Sequence, residues 1–213
     1  MEKKNSFMQT KPVLPLLLSM AVPMMLSMLI QSLYNIVDSI YVSRLGTEAL
    51  TAVSLAYPLQ NTITAVSVGI GVGISSAISI FLGAGAQEKA NRAATIGVAL
   101  SAVHCLLFIL AGIFVTRPFL ELFTGNPAGL KDACDYTYIV LCASFGCILQ
   151  ITMEKIFQGI GEMKITMYLL ASGCIINIVL DPILIFGLLG FPAMGVAGAA
   201  IATVVGQICA FLL

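Results

Sequence analysis

A chain of 213 residues that is 59% hydrophobic and only 9% charged is not a soluble domain. Ten basic residues balance ten acidic ones, so no bulk basic field exists to attract nucleic acid, and none is expected as a partner. The charges gather between long uncharged runs, the pattern of an all-α polytopic protein whose solvent is the lipid bilayer.

Six spans are predicted, at roughly 14–43, 52–82, 94–116, 136–158, 165–187 and 193–213, each long enough for about 30 Å of hydrocarbon. Lys3, Lys4 and Lys11 precede the first run, which is too long for a signal-peptide core and is followed by further spans; it is read as uncleaved. On span one, Gln31, Tyr34, Asn35 and Asp38 fall at i, i+3, i+4 and i+7 and make one polar face. Such a face serves either as an interhelical hydrogen-bond seam or as a site. Asp38 is read as functional, because a buried charge is costly. Four methionines share the span, and their flexible, polarizable side chains suit a pocket for varied apolar ligands. Met28, Gln31, Tyr34 and Asn35 are therefore the candidates for lining a substrate cavity.

Gly69, Gly71 and Gly73 in span two resemble part of a dinucleotide fingerprint, but no strand precedes them; they predict close helix packing instead. The only histidine, His104, falls in the middle of span three, where it either relays protons or makes a plain hydrogen bond. Six scattered cysteines contain no C-x-x-C pair and are read as small hydrophobes.

Span five carries the strongest local signal. Asp181 interrupts an apolar run, Asn177 lies one turn earlier on the same face, and Pro182 follows at once. The proline frees the carbonyl of Ile178 and predicts a kink beside the acid. Acid, amide and hinge together predict an ion or proton site on a movable helix. Span six offers small residues for packing at Gly195, Ala199, Ala202 and Gly206.

Basic residues give the orientation. With the N-terminus inside, Lys3, Lys4, Lys11, Lys89, Arg92, Lys155 and Lys164 are cytoplasmic, against Arg44, Arg117 and Lys131 outside. Asp38 then lies about 9 Å before the outer end of span one, and Asp181 about 9 Å before the end of span five, so both acids share one depth.

With these residues in view, the chain resembles the multidrug and toxic compound extrusion (MATE) family of cation-coupled exporters. The resemblance rests on the stretch from Pro23 to Ser54 (P-x-M-M-L-S-M-L-I-Q-S-L-Y-N-I-V-D-S and onward), on Gly83-Ala84-Gly85, and on Gln158-Gly159-Ile160-Gly161. Its most specific part is N-I-V-L-D-P-I-L-I-F-G followed by G-V-A-G-A-A-I-A-T. It implies two six-helix lobes with a substrate path between them, of which this chain would be the N-terminal lobe; the C-terminal lobe is the missing partner. The chain stops at Leu213 inside an apolar run, which fits a fragment.

The resemblance also implies a cation site at Asp38, Asn177, Asp181 and Thr203, with the first three able to hold sodium. On the fourth span some relatives carry an asparagine five residues before G-x-G; here Glu154 stands there, either a further coupling carboxylate or an inner-boundary partner of Lys155. The expected activity is antiport across the plasma membrane, protons or sodium entering as amphipathic organic cations or drugs leave, with no organic cofactor. One rival is a lipid-linked saccharide flippase of the same superfamily, which would need basic residues along its cavity. An intramembrane aspartyl protease is the other, but its G-x-G-D motif is absent.

Overall fold

So apolar a chain must satisfy its backbone donors and acceptors without water, and the described residues do so within helices. The computed structural model describes residues 12–213, so Lys3, Lys4 and Lys11 and their part in the orientation argument lie outside the described residues. The helices are α1 (Val13–Ser43), α2 (Thr47–Gly83), α3 (Gln87–Glu121), α4 (Pro127–Cys142), α5 (Phe145–Gly159), α6 (Met163–Phe186) and α7 (Gly195–Leu212). Five are long and apolar enough to cross a bilayer alone, and α4 with α5 is so only as a bent pair taken together.

Charged residues do not end the helices where a hydropathy reading stops. Glu48 sits in the first turn of α2 and Glu88 in the first turn of α3. Carboxylates there face the positive end of the helix dipole, so both helices begin earlier than the apolar runs they contain. Likewise α4 starts at Pro127, because Asn126 caps it: its side-chain oxygen accepts from the backbone N–H of Ala128 at 3.1 Å, with proline at the first helical position.

The fourth span is broken between Cys142 and Phe145, with a bend of 46°. No proline causes this. The backbone tightens there, Ser144 N–H donating to Leu141 O and Gly146 N–H to Ala143 O. The bend delivers Gly146 against α7, where a Cβ would lie 2.9 Å from Ile208 Cγ1.

In contrast, α6 runs unbroken through Pro182 and ends at Gly187, whose φ of 73° is the left-handed closing conformation. The chain then returns as α7, tied back by Met194 N–H to Leu184 O at 2.9 Å. Of the span-two glycines only Gly71 is closely packed; Gly69 and Gly73 meet nothing within 4 Å.

Apolar packing concentrates where α1, α2, α4, α6 and α7 meet, around Val42, Ala56, Tyr136, Ile185 and Ala199. Outward, side chains such as Val103, Leu106, Leu110 and Phe114 on α3 are exposed, as a lipid-facing surface requires. Helix α1 rests chiefly on α6, and that contact positions the site.

Candidate cation site

The site is built on the crossing of α6 and α7. Gly173 and Gly206 face each other so closely that a Cβ on Gly206 would lie 2.7 Å from Gly173 O, and one on Gly173 would lie 2.9 Å from Gly206 O. Small residues at such a crossing let the backbones approach and bring the polar side chains one turn away into register. Asn177 Nδ2 donates to Thr203 Oγ1 at 3.3 Å. From α1, the Tyr34 hydroxyl joins the same oxygen at 3.4 Å. Three helices thus meet at one threonine hydroxyl.

One turn beyond Asn177 on α6 lies Asp181, fully buried. Neither of its carboxyl oxygens has a hydrogen-bond donor, nor does Asp38 Oδ1 on α1. The two carboxyls adjoin and interact directly. Among the described residues neither is paired with a basic side chain; the ion pairs are Arg117–Glu121 and Lys155–Glu154. Tyr136 of α4 is buried within the electrostatic reach of both acids, its hydroxyl donating to Gln60 Oε1 at 3.4 Å.

Two carboxylates at close range in a low-dielectric interior repel strongly, and each also forfeits its hydration. A cation relieves both costs. A proton shared between them would do so, and so would a hard metal ion, which takes oxygen ligands. Asn177 Oδ1 is buried without a donor and is free to ligate such an ion.

Asp38, Asn177, Asp181, Thr203 and Tyr34, all singled out from the sequence, are thus brought together. Gln31 joins Tyr34, Asn177 and Thr203 in lining a cavity of about 70 Å³ beside them. That volume holds an ion or a few waters; drug-sized pockets are about 300–1,000 Å³.

The other candidates lie elsewhere in the lobe. Met28, 67% exposed, and Asn35, also exposed, do not line this cavity, because the buried face of α1 is narrow. Glu154 is not at the carboxyl pair. Its backbone carbonyl meets the Thr166 hydroxyl at 3.5 Å, and Thr166 lies about 22 Å along α6 from Asp181. His104 uses Nδ1 on the carbonyl of Leu100 in its own helix, at 2.8 Å.

Three residues were missed. Gln150 and Gln207 line the cavity, and Tyr136 stands beside the acids. Gln207 was findable: it is a lone amide in an apolar run, one turn after Thr203. Gln150 stands in the same relation to Glu154. Tyr136 carries no such signal, since an aromatic near a span's end is ordinary.

Known proteins share this architecture. The chain is 34% identical over 195 residues to the probable multidrug resistance protein YoeA of Bacillus subtilis, covering 90% of this chain and 42% of that protein. To the FAD transporter of Shewanella oneidensis it is 27% identical over 208 residues, covering 95% of this chain and 45% of that one. A transporter of the MOP superfamily from Pyrococcus furiosus superposes with a TM-score of 0.87 at 32% identity, over 92% of this chain and 43% of that chain. The chain therefore spans less than half the length of these relatives, and its helices correspond to one lobe of a two-lobe transporter fold. The MatE family model matches residues 23–183, most of the chain and both carboxylates of the site, and the chain belongs to the MatE family.

Proposed function

We propose that this chain is the N-terminal lobe of a cation-coupled antiporter, in which protons or sodium enter through Asp38 and Asp181 as amphipathic organic cations leave. The observation that carries the reading is the pair of adjoining carboxyls, Asp181 buried and Asp38 half-buried, with no basic partner among the described residues. Asn177 and Thr203 would supply neutral oxygens to the cation, and Tyr34 and Gln31 would line its approach. The membrane is the plasma membrane and the N-terminus cytoplasmic, on the basic-residue count.

Coupling requires that cation and cargo prefer different conformations. The carboxyls sit on α1 and α6, one of which carries Pro23 and the other Pro182. Charge on the pair pushes these helices apart and a bound cation draws them together. The cavity of about 70 Å³ is too small for a drug, so the cargo binds with the second lobe in place.

Few lysines or arginines fall within the spans, which gives a pyrophosphate-bearing flippase substrate little counter-charge in this lobe. The test uses the complete transporter in vesicles. Efflux of a fluorescent organic cation is driven by a pH gradient or a sodium gradient separately, with a flavin as a second cargo. Transport under one gradient, lost in Asp181→Asn, is the expected result. Full transport in both Asp181→Asn and Asp38→Asn would sink the assignment.

A further inference from the structure

A further acid lies half-buried in the lobe, and its surroundings differ from those of the pair. Gln150, Glu154 and Gln158 fall at i, i+4 and i+8 on α5, so a polar stripe runs from the cavity toward the opposite end of the helix. Along it, Glu154 is the one group able to bind a cation by charge. Its side chain is 18% exposed and that of the adjacent Lys155 only 14%.

The lysine is held in place by a neighbour chosen for size. A Cβ at Gly71 of α2 would lie 2.5 Å from Lys155 Cγ, so the glycine is the seat of the lysine stem. From that seat Nζ donates to Gln158 Oε1 at 3.0 Å and to Glu154 Oε1 at 3.4 Å. Gln158 closes the ring, its Nε2 donating to the same Glu154 oxygen at 2.8 Å. From α6 the neighbour is the Thr166 hydroxyl, on the Glu154 backbone carbonyl, and the Cys147 thiol lies within the carboxylate's field.

We propose that Lys155 is a tethered counter-ion, which occupies Glu154 so that no mobile cation can, and thereby seals the inner end of the stripe against leak. The proposal rests on the carboxyl pair being the entry site for the mobile cation. A bare Glu154 would be a stepping stone between that site and the far side of the membrane, and a cation crossing by it would carry no cargo outward. An attached ammonium removes the stepping stone while leaving the stripe uncharged overall.

The experiment measures proton and sodium leak into vesicles holding the complete transporter, with no cargo present and a trapped ion-sensitive dye. Lys155→Gln bares the carboxylate and is expected to raise the leak on the order of tenfold, a barrier change of about 1.4 kcal/mol. Glu154→Gln with Lys155→Gln removes both charges and is expected to restore tightness. Should Lys155→Gln fail to fold, Gly71→Ala displaces the stem and keeps both charges, and it is expected to leak. Tight vesicles for Lys155→Gln, or for Gly71→Ala where only that variant folds, overturn the proposal. So does a double variant as leaky as the single one, which would mean a packing defect. Adding Asp181→Asn to a leaking variant should abolish the leak; persistence separates the leak from the carboxyl pair and overturns the proposal, whereas failure of the entry-site reading itself is read from cargo transport.

Discussion

Replacing Gly206 by alanine tests whether the α6–α7 crossing sets the site. The added Cβ would lie 2.7 Å from Gly173 O and 3.2 Å from Asn177 Cβ, against 3.4 Å for ordinary contact. Since the closer obstacle is backbone, the helices must part by about 0.7 Å. The Asn177–Thr203 hydrogen bond is already 3.3 Å long and would pass beyond hydrogen-bonding range. Overpacking of this kind costs roughly 1–3 kcal/mol. The expected outcome is a lower thermal unfolding midpoint in detergent and about a tenfold rise in the cation concentration giving half-maximal transport. Gly73→Ala is the control, since its Cβ meets nothing within 4 Å. If the two variants behaved alike in both assays, the crossing would not be what positions Asn177 and Thr203.

Two further substitutions separate packing from coupling. Tyr136→Phe strips Gln60 Oε1 of its donor and should lower stability by about 1 kcal/mol, read as detergent unfolding, with transport reduced far less than in Asp181→Asn. Ser101→Ala breaks the 2.6 Å contact with Thr152 that joins α3 to α5; Thr152 keeps its bond to Ile148 O, so a loss of about 0.6 kcal/mol in unfolding and unchanged cation dependence are expected.

What the sequence revealed followed from cost. Asp38 and Asp181 stood out because a carboxylate in an apolar run has no cheap explanation, and Asn177 because helical spacing places it beside one of them. The spans were legible for the same reason, and the helices that carry them begin earlier where an acid in the first turn or a cap such as Asn126 extends them. Thr203 came only through family resemblance; a hydroxyl in span six is unremarkable until Gly173 and Gly206 bring α6 alongside. The break after Cys142 was hidden, because no proline marks it and the contact it permits, Gly146 against α7, is with a helix some 60 residues later in the chain. That Asn35 and Glu154 lie off the cavity was hidden for a related reason. Periodicity says which residues share a face of one helix, but which face meets a neighbour, and at what height, is settled by packing.

Within a single lobe the same chemical problem, a carboxylate out of water, receives two solutions. Glu154 is given Lys155, a positive charge whose stem is seated on Gly71, and Gln158 to complete the ring. Among the described residues Asp38 and Asp181 receive neither a lysine nor an arginine, although they adjoin and repel. A structural role would favour the first solution at both places, because an unrelieved buried pair destabilises the fold by several kcal/mol. Leaving the pair open makes sense only where the neutralising cation must come and go. Under the proposed antiport that destabilisation is the free energy by which a cation on one side of the membrane would move α1 against α6.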